Sequence, residues 1–239
     1  PLGVADRLRS LLLARALLKA PGGRLALLVH DMGLVPGNRV LLRAPNNPML
    51  VASWFAVMKA GGIAVATMPL LRAKEIRQMV AKGEVTHALC DMRLADDLRA
   101  AAAEPDCAML RSIRYFNTAP GGAPEQSLEA AMARHSTTFT NVDTAADDTC
   151  ILAFTSGTTG VPKGTMHFHR DVMAICACWP PHVLRPEADD VFMGSPPLAF
   201  TFGLGGLVLF PMSVGASTVL LEKASPKDLL DGAKTYGAT

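Results

Sequence analysis

Paired cysteines are missing from this sequence. Cys90, Cys107, Cys150, Cys176 and Cys178 are odd in number and form no C-x-x-C. That argues against a structural zinc site and against a disulfide framework, and leaves buried, reduced thiols of a cytoplasmic protein as the expectation. Cys176-Ala-Cys178 lies in a stretch that reads as helix, where i and i+2 do not share a face, so no metal is assigned there. Strong charge of either sign is missing too. The net charge is +2 with acids and bases interspersed, which excludes a nucleic-acid stripe and a basic membrane arm. No signal peptide is legible: "LRSLLLARALLKA" is apolar, but Arg9, Arg15 and Lys19 punctuate it. The longest charge-free stretch, Val191 to Leu221, is broken by Pro196, Pro197 and Pro211. It predicts strand, loop, short helix and strand in a globular core, not a membrane span.

What is present is a chain able to build a large core: 239 residues, half of them hydrophobic and 18% charged. Apolar runs of strand length alternate with helical patterns. Strands are expected at Asn38–Ala44, Ile63–Thr67, "THALCD", "AMLRSIRYF", Thr149–Thr155, "DDVFMGS" and "ASTVLLE". Helices are expected at "NPMLVASWFAVMKAGG", "RAKEIRQMVAKGE", "RLADDLRAAAAE", Gln126–Arg134, His169–Trp179 and "SPKDLLDGAKTYGA", the last with Ser225 as N-cap and Pro226 at N1. Thr118–Pro124 reads as a loop and His135–Asp148 as an extended polar linker. The alternation predicts an α/β fold of layered sheets flanked by helices, with parallel pairing.

One stretch carries chemistry. "TSGTTGVPKG", Thr155 to Gly164, packs four hydroxyl residues, three glycines, a proline and a lysine into ten positions, straight after an apolar strand. Glycines let successive backbone N–H groups converge on an anion, hydroxyls add donors, and Lys163 adds a mobile positive charge. Hydrogen bonds to a charged partner contribute roughly 1.5–3 kcal/mol each, so several together can hold a triphosphate. It is not a nucleotide-kinase P-loop, because Gly164 stands where Ser or Thr must follow the lysine. Nor is it G-x-G-x-x-G, because Gly157, Gly160 and Gly164 have the wrong spacing.

The stretch resembles the signature loop of the adenylate-forming (AMP-binding) superfamily, which includes acyl- and aryl-CoA synthetases. The resemblance runs from about Arg24 to Thr239. It implies residues 24–239 as a partial N-terminal adenylation domain, preceded by an atypical helix at 1–23. It also implies that Thr155, Ser156, Gly157, Thr158, Thr159, Gly160 and Lys163 bind the β- and γ-phosphates of ATP, with Lys163 catalytic. "PLAFTFGLGG" (Pro197 to Gly206) resembles the family's acyl-pocket motif. There Phe200, Gly203 and Gly205 are the substrate-binding candidates, and Gly203, Gly205 and Gly206 leave one helix face bare, either for a flat ring or for close packing. "RAPNNP" and "VATMPLL" look most like benzoate- and 2-aminobenzoate-CoA ligases. The implied reaction is ATP-dependent activation of a carboxylic acid, aromatic by this wording, to an acyl-adenylate and then a CoA thioester, with Mg²⁺ and CoA taking part. The rivals are a phosphotransferase with an atypical loop and a non-catalytic nucleotide-binding module.

Other residues read more plainly. His167 and His169 are expected at a helix start, His182 in a loop, Asp147-Asp148 in solvent, and the scattered methionines in the core. The closing "YGAT" is not assigned to adenine. The family's adenine motif, ribose aspartate, hinge and late lysine are not matched, so the C-terminal domain is expected to be absent and the chain to be a piece inactive alone. Expected partners are a small-molecule carboxylic acid and, with the oligomeric state left open, copies of the same chain as a homo-oligomer. No protein metal ligand is named.

Overall fold

The computed structural model describes residues 28–118, 127–136, 138–155 and 162–239. The helix expected over 1–23 lies outside them. Six strands make the main sheet: β1 (Arg39–Arg43), β2 (Ile63–Thr67), β3 (Val85–Asp91), β4 (Ser112–Phe116), β5 (Thr149–Thr155) and β6 (Lys163–Phe168), in the order β4-β3-β1-β2-β5-β6. The first five are parallel; β6 runs antiparallel to β5. A parallel sheet covered on both faces favours strands that are largely apolar. β1 and β3 are apolar at Val40–Leu42 and Ala88–Cys90, and all seven residues of β3 are buried, Thr86, His87 and Asp91 among them.

The crossovers are α1 (Pro48–Lys59), α2 (Ala73–Lys82) and α3 (Ala95–Ala102). Asn47 caps α1, its side chain accepting from the Leu50 N–H at 2.9 Å, and Pro48 supplies a preset first turn. α1 packs on one face of the sheet, in a cluster with Val40, Leu42, Ala64 and Leu89. α2 and α3 cover the other face, with Leu41, Val65, Ala88 and Tyr115. A short helix α4 (Leu128–Met132) follows β4, and an extended polar stretch leads to β5.

After β6 come α5 (His169–Cys178) and a small parallel pair, β7 (Val191–Met193) with β8 (Ser217–Val219). Between those strands runs one continuous helical rod: α6 (Thr201–Leu204), a π-helical stretch (Gly205–Leu209) and α7 (Phe210–Val214). The closing helix α8 (Pro226–Tyr236) is capped reciprocally, Ser225 accepting from the Asp228 N–H and Asp228 from the Ser225 N–H, each at 3.2 Å. Gly237 ends it in the left-handed conformation. "YGAT" is therefore a helix terminus, and Thr239 bonds to Asp190 and to the Val191 N–H.

The helix expected at His169 starts there, and "KGTMHF" before it is strand β6, an element the sequence reading does not contain. One expectation needs correction here: His182 stands in a π-helical turn, Pro180–Leu184, and not in a loop. The expected burial holds for three of the five thiols; Cys176 is half-buried and Cys178 exposed, because α5 buries none of its residues. Cys90, Cys107 and Cys150 are buried, and burial pushes Cys90 up to about 12 and Cys150 up to about 11, far from thiolate chemistry.

Candidate functional site

In an open α/β sheet the carboxyl ends of the parallel strands are where ligands gather. β5 delivers Thr155 to that edge. The antiparallel partner β6 returns with Lys163 directly opposite Thr155 in the register. The glycine loop is thus closed at its base by a ladder, and both base residues are exposed. Ser156, Gly157, Thr158, Thr159 and Gly160 lie outside the described residues. The ladder is held by Thr165, whose hydroxyl donates to the Ala153 carbonyl at 3.0 Å. Lys82, at the end of α2, donates to the Pro162 carbonyl at 2.9 Å and ties the loop's exit to the sheet's flank. α5 starts at the far end of the hairpin, where the His169 N–H donates to the Asp148 carbonyl. Among the described residues the loop leads into strand β6, which begins with Lys163. Asp147 pairs with Arg170 at the same far end, away from the loop.

Beside β5 lies a cavity of about 190 Å³, walled by Ile151, His167, Asp171, Val172, Thr201 and Leu204 among others. An apolar cavity of about 150 Å³ suffices for a benzene ring. A smaller cleft adjoins it, where Trp54, Ala153, Leu198 and Phe200 meet. Phe200 is the N-cap residue of α6 and is part-exposed at the cleft. His167 is a corrected residue: it is on β6, in the cavity wall, and not at a helix start. His169 does begin α5.

The three glycines of the motif divide between the two readings. A Cβ on Gly203 would overlap the Pro197 carbonyl oxygen and stand 2.8 Å from that of Pro196; this glycine serves close packing. A Cβ on Gly205 would meet the Phe210 ring at 3.2 Å. Gly206 faces open space.

A polar hub links this region to the sheet. Asp91, fully buried at the end of β3, accepts from Arg93, from Asn117 at 2.7 Å and from Asn47 at 3.4 Å. Arg93 and Asn47 also reach Glu222, at 2.7 and 3.1 Å. Burial raises the Asp91 carboxyl, but the bonds from Arg93 and Asn117 outweigh it and hold it below the usual carboxylate range. Hydrogen bonding to Arg93 likewise lowers Glu222. Arg43 is wholly buried and donates to the carbonyls of Leu94, Met68, Pro69 and Leu71, with Asp97 at 3.7 Å. Burial lowers its pKa. "RAPNNP" and "VATMPLL" are therefore in contact, joined through Arg43.

Sequence reasoning missed Asn46, Asn47, Arg43 and Glu222. The only signal was the "RAPNNP" wording, which named no partner. Among the described residues no group of three or more His, Cys, Asp or Glu side chains could hold a metal ion, and no helix is long and apolar enough to cross a membrane.

Comparison with known proteins agrees with this geometry. The family model described as AMP-binding enzyme matches residues 22–239. The benzoate–CoA ligase of Thauera aromatica is 30% identical over 196 residues, covering 82% of this chain and 36% of that one. The crystal structure of the anthranilate CoA ligase AuaEII in complex with anthranoyl-AMP superposes with a TM-score of 0.86 at 26% identity, over 92% of this chain and 42% of that one. ATP-bound MatB from Rhodopseudomonas palustris gives 0.77 at 27%, over 91% and 41%. The chain spans about two-fifths of the length of these relatives. With the loop's base, the acyl-pocket motif and a family match over nearly its whole length, this chain belongs to the AMP-binding enzyme family.

Proposed function

We propose that this chain is the phosphate-gripping, acid-holding part of an AMP-forming aryl-acid–CoA ligase. Thr155, Ser156, Gly157, Thr158, Thr159, Gly160 and Lys163 hold the β- and γ-phosphates of ATP. Phe200, with Gly203 and Gly205 behind it, shapes the seat of an aromatic carboxylic acid. The observation that carries the reading is the hairpin register: Thr155 stands opposite Lys163 at the carboxyl edge of the sheet, and a cavity the size of one aromatic ring lies further along the same hairpin, at Ile151 and His167. The relatives' names, benzoate and anthranilate, support the aromatic class.

ATP supplies an electrophilic α-phosphorus, which the carboxylate attacks as pyrophosphate leaves. The chain's own contribution is local. The closed loop base presents donors to the outer phosphates, and Lys163 offsets the charge that builds on the leaving pyrophosphate. Apolar walls at Ile151, Val172 and Leu204 strip water from the ring and leave the carboxylate at the polar mouth. The described side chains provide no cage for Mg²⁺, and no step is assigned to it. CoA, as the acceptor of the acyl group, and a cytoplasmic setting belong to the same proposal for the whole protein.

The test is ATP titration by calorimetry, then acid-dependent exchange of labelled pyrophosphate into ATP with benzoate and 2-aminobenzoate. ATP binding that falls about tenfold or more in Lys163→Ala supports the phosphate grip. Exchange above background would show adenylation by this chain itself. ATP binding without exchange leaves a nucleotide-binding module. No ATP binding in the wild type ends the proposal.

A further inference from the structure

Asn46 has a position that neither the phosphate grip nor the pocket lining explains. It stands just beyond β1, at the carboxyl edge, and is 7% exposed. Its side-chain amide makes two bonds to one short segment more than 150 residues away. Nδ2 donates to the Pro196 carbonyl at 2.9 Å, and Oδ1 accepts from the Leu198 N–H at 2.9 Å. The amide thus satisfies a donor and an acceptor two residues apart, as a neighbouring strand would.

That segment carries the pocket. The Phe200 N–H donates to the Pro197 carbonyl at 3.1 Å, and the Leu204 N–H donates to the Phe200 carbonyl at 2.9 Å. The first turn of α6 rests on the Pro196 and Pro197 carbonyls through the bare face of Gly203. Leu198, Phe200 and Leu204 line the cleft beside Trp54. Asn46 touches none of the reacting groups, yet it fixes the backbone from which Phe200 and Leu204 project. Only a side chain with one donor and one acceptor at this reach can make both bonds.

We infer that Asn46 is a positioning residue for the acid pocket: it sets the place of Phe200 and α6, and with them the fit of the aromatic ring. The inference rests on the aromatic-acid reading above. It separates two ligands, because Asn46 governs the acid's seat and has no contact with the loop base at Thr155 and Lys163. Its loss therefore weakens binding of the acid and leaves ATP binding unmoved.

The test uses the full 239-residue chain with Trp179→Phe, which leaves Trp54 as the one indole. Benzoate is titrated by Trp54 fluorescence and ATP by calorimetry, while amide hydrogen exchange follows Leu198 and Phe200–Leu204. In Asn46→Ala we expect benzoate to bind about tenfold more weakly, the equivalent of roughly one hydrogen bond. ATP should stay within about twofold, and protection should fall at Leu198 and the first turn of α6. Asn46→Asp keeps the shape but, when ionised, sets an acceptor against the Pro196 carbonyl; protonated, it regains a donor. Burial raises such a carboxyl. So, measured against wild type at the same pH, this variant should be weak at about pH 7.5 and close most of the gap near pH 5; His167 and Asp171, which line the cavity in both proteins, cancel from that comparison.

Equal benzoate affinity in wild type and Asn46→Ala overturns the inference, as does a parallel loss of ATP and benzoate. Failure of the Asp variant to close that gap at low pH also overturns it. A wild type that binds ATP but no aromatic acid fails the aromatic-acid reading, and the pocket role of Asn46 falls with it. Unchanged exchange at Leu198 in Asn46→Ala would sink the clamp whether or not any acid binds.

Discussion

β3 and β6 belong to one sheet and could hardly differ more. Every residue of β3 is buried, and none of β6 is. Their neighbours follow suit. α1 buries six residues, whereas α5 buries none and α8 only Gly232. The α2–α3 face of the first region, residues 39–116, is packed largely by its own apolar residues, while the α1 face is shared with Leu198, Leu204, Leu207, Val208 and Leu209 of the second region. Outside that shared cluster, β6, α5 and α8 are held by register, by caps and by a few long-range polar bonds. Stability supplied by burial resists local opening, and stability supplied by exposed ladders does not. Lys163, at the base of the glycine loop, sits in the second kind of structure.

Four substitutions break or sharpen that contrast. The largest effects belong to the first region. Arg43→Leu removes the donor from four part-buried carbonyls, and Phe116→Ala opens a void at a fully buried ring. Each should cost roughly 3–5 kcal/mol in urea unfolding, with an early loss of both crossover layers. An Arg43→Leu chain as stable as wild type would show that the guanidinium is dispensable to the sheet.

Asp91→Asn tests the seam between the regions and should cost about 1–3 kcal/mol at neutral pH. The sign of its pH dependence follows from the lowered pKa. Unfolded, the carboxyl titrates near about 3.9; folded, it titrates lower. Its contribution is complete above the unfolded value and disappears as pH falls through the folded one. Wild type should therefore lose stability below about pH 4 more steeply than Asp91→Asn does. Parallel acid limbs would rule out Asp91 as their source. The smallest effect is expected at Met173, 70% exposed on α5, where alanine should shift stability by no more than about 0.5 kcal/mol. A loss of several kcal/mol there would mean that α5 is packed in solution after all.

The same contrast decides what was legible. Strands such as "IAVAT" and "THALCD" announce themselves because two-sided burial favours short apolar runs. α8 is legible from its cap, Ser225-Pro226. "KGTMHF" hides because an exposed edge strand needs no apolar pattern. The glycine loop is readable as a motif, and Thr155 and Lys163 pair across its base. Phe200 lies at the cleft beside Trp54 and Leu198. The glycines are only half readable, since composition cannot tell Gly203, against a carbonyl, from Gly206, against nothing. Asn46 and Glu222 are invisible in the sequence, because their partners lie 129 to 175 residues away along the chain.

That distance has a consequence in time. A chain is synthesised from its N-terminus at about 5–20 residues per second. The Asn46 amide must wait for Leu198, 152 residues later, before its second bond can form. Roughly 8–30 s pass in that interval at those rates. β1 through β4, by contrast, can pair as soon as Phe116 has left the ribosome. The nascent protein can therefore carry four paired strands, with Asn46 and Asn47 at their carboxyl edge still short of Pro196, Leu198 and Glu222, well before those partners exist.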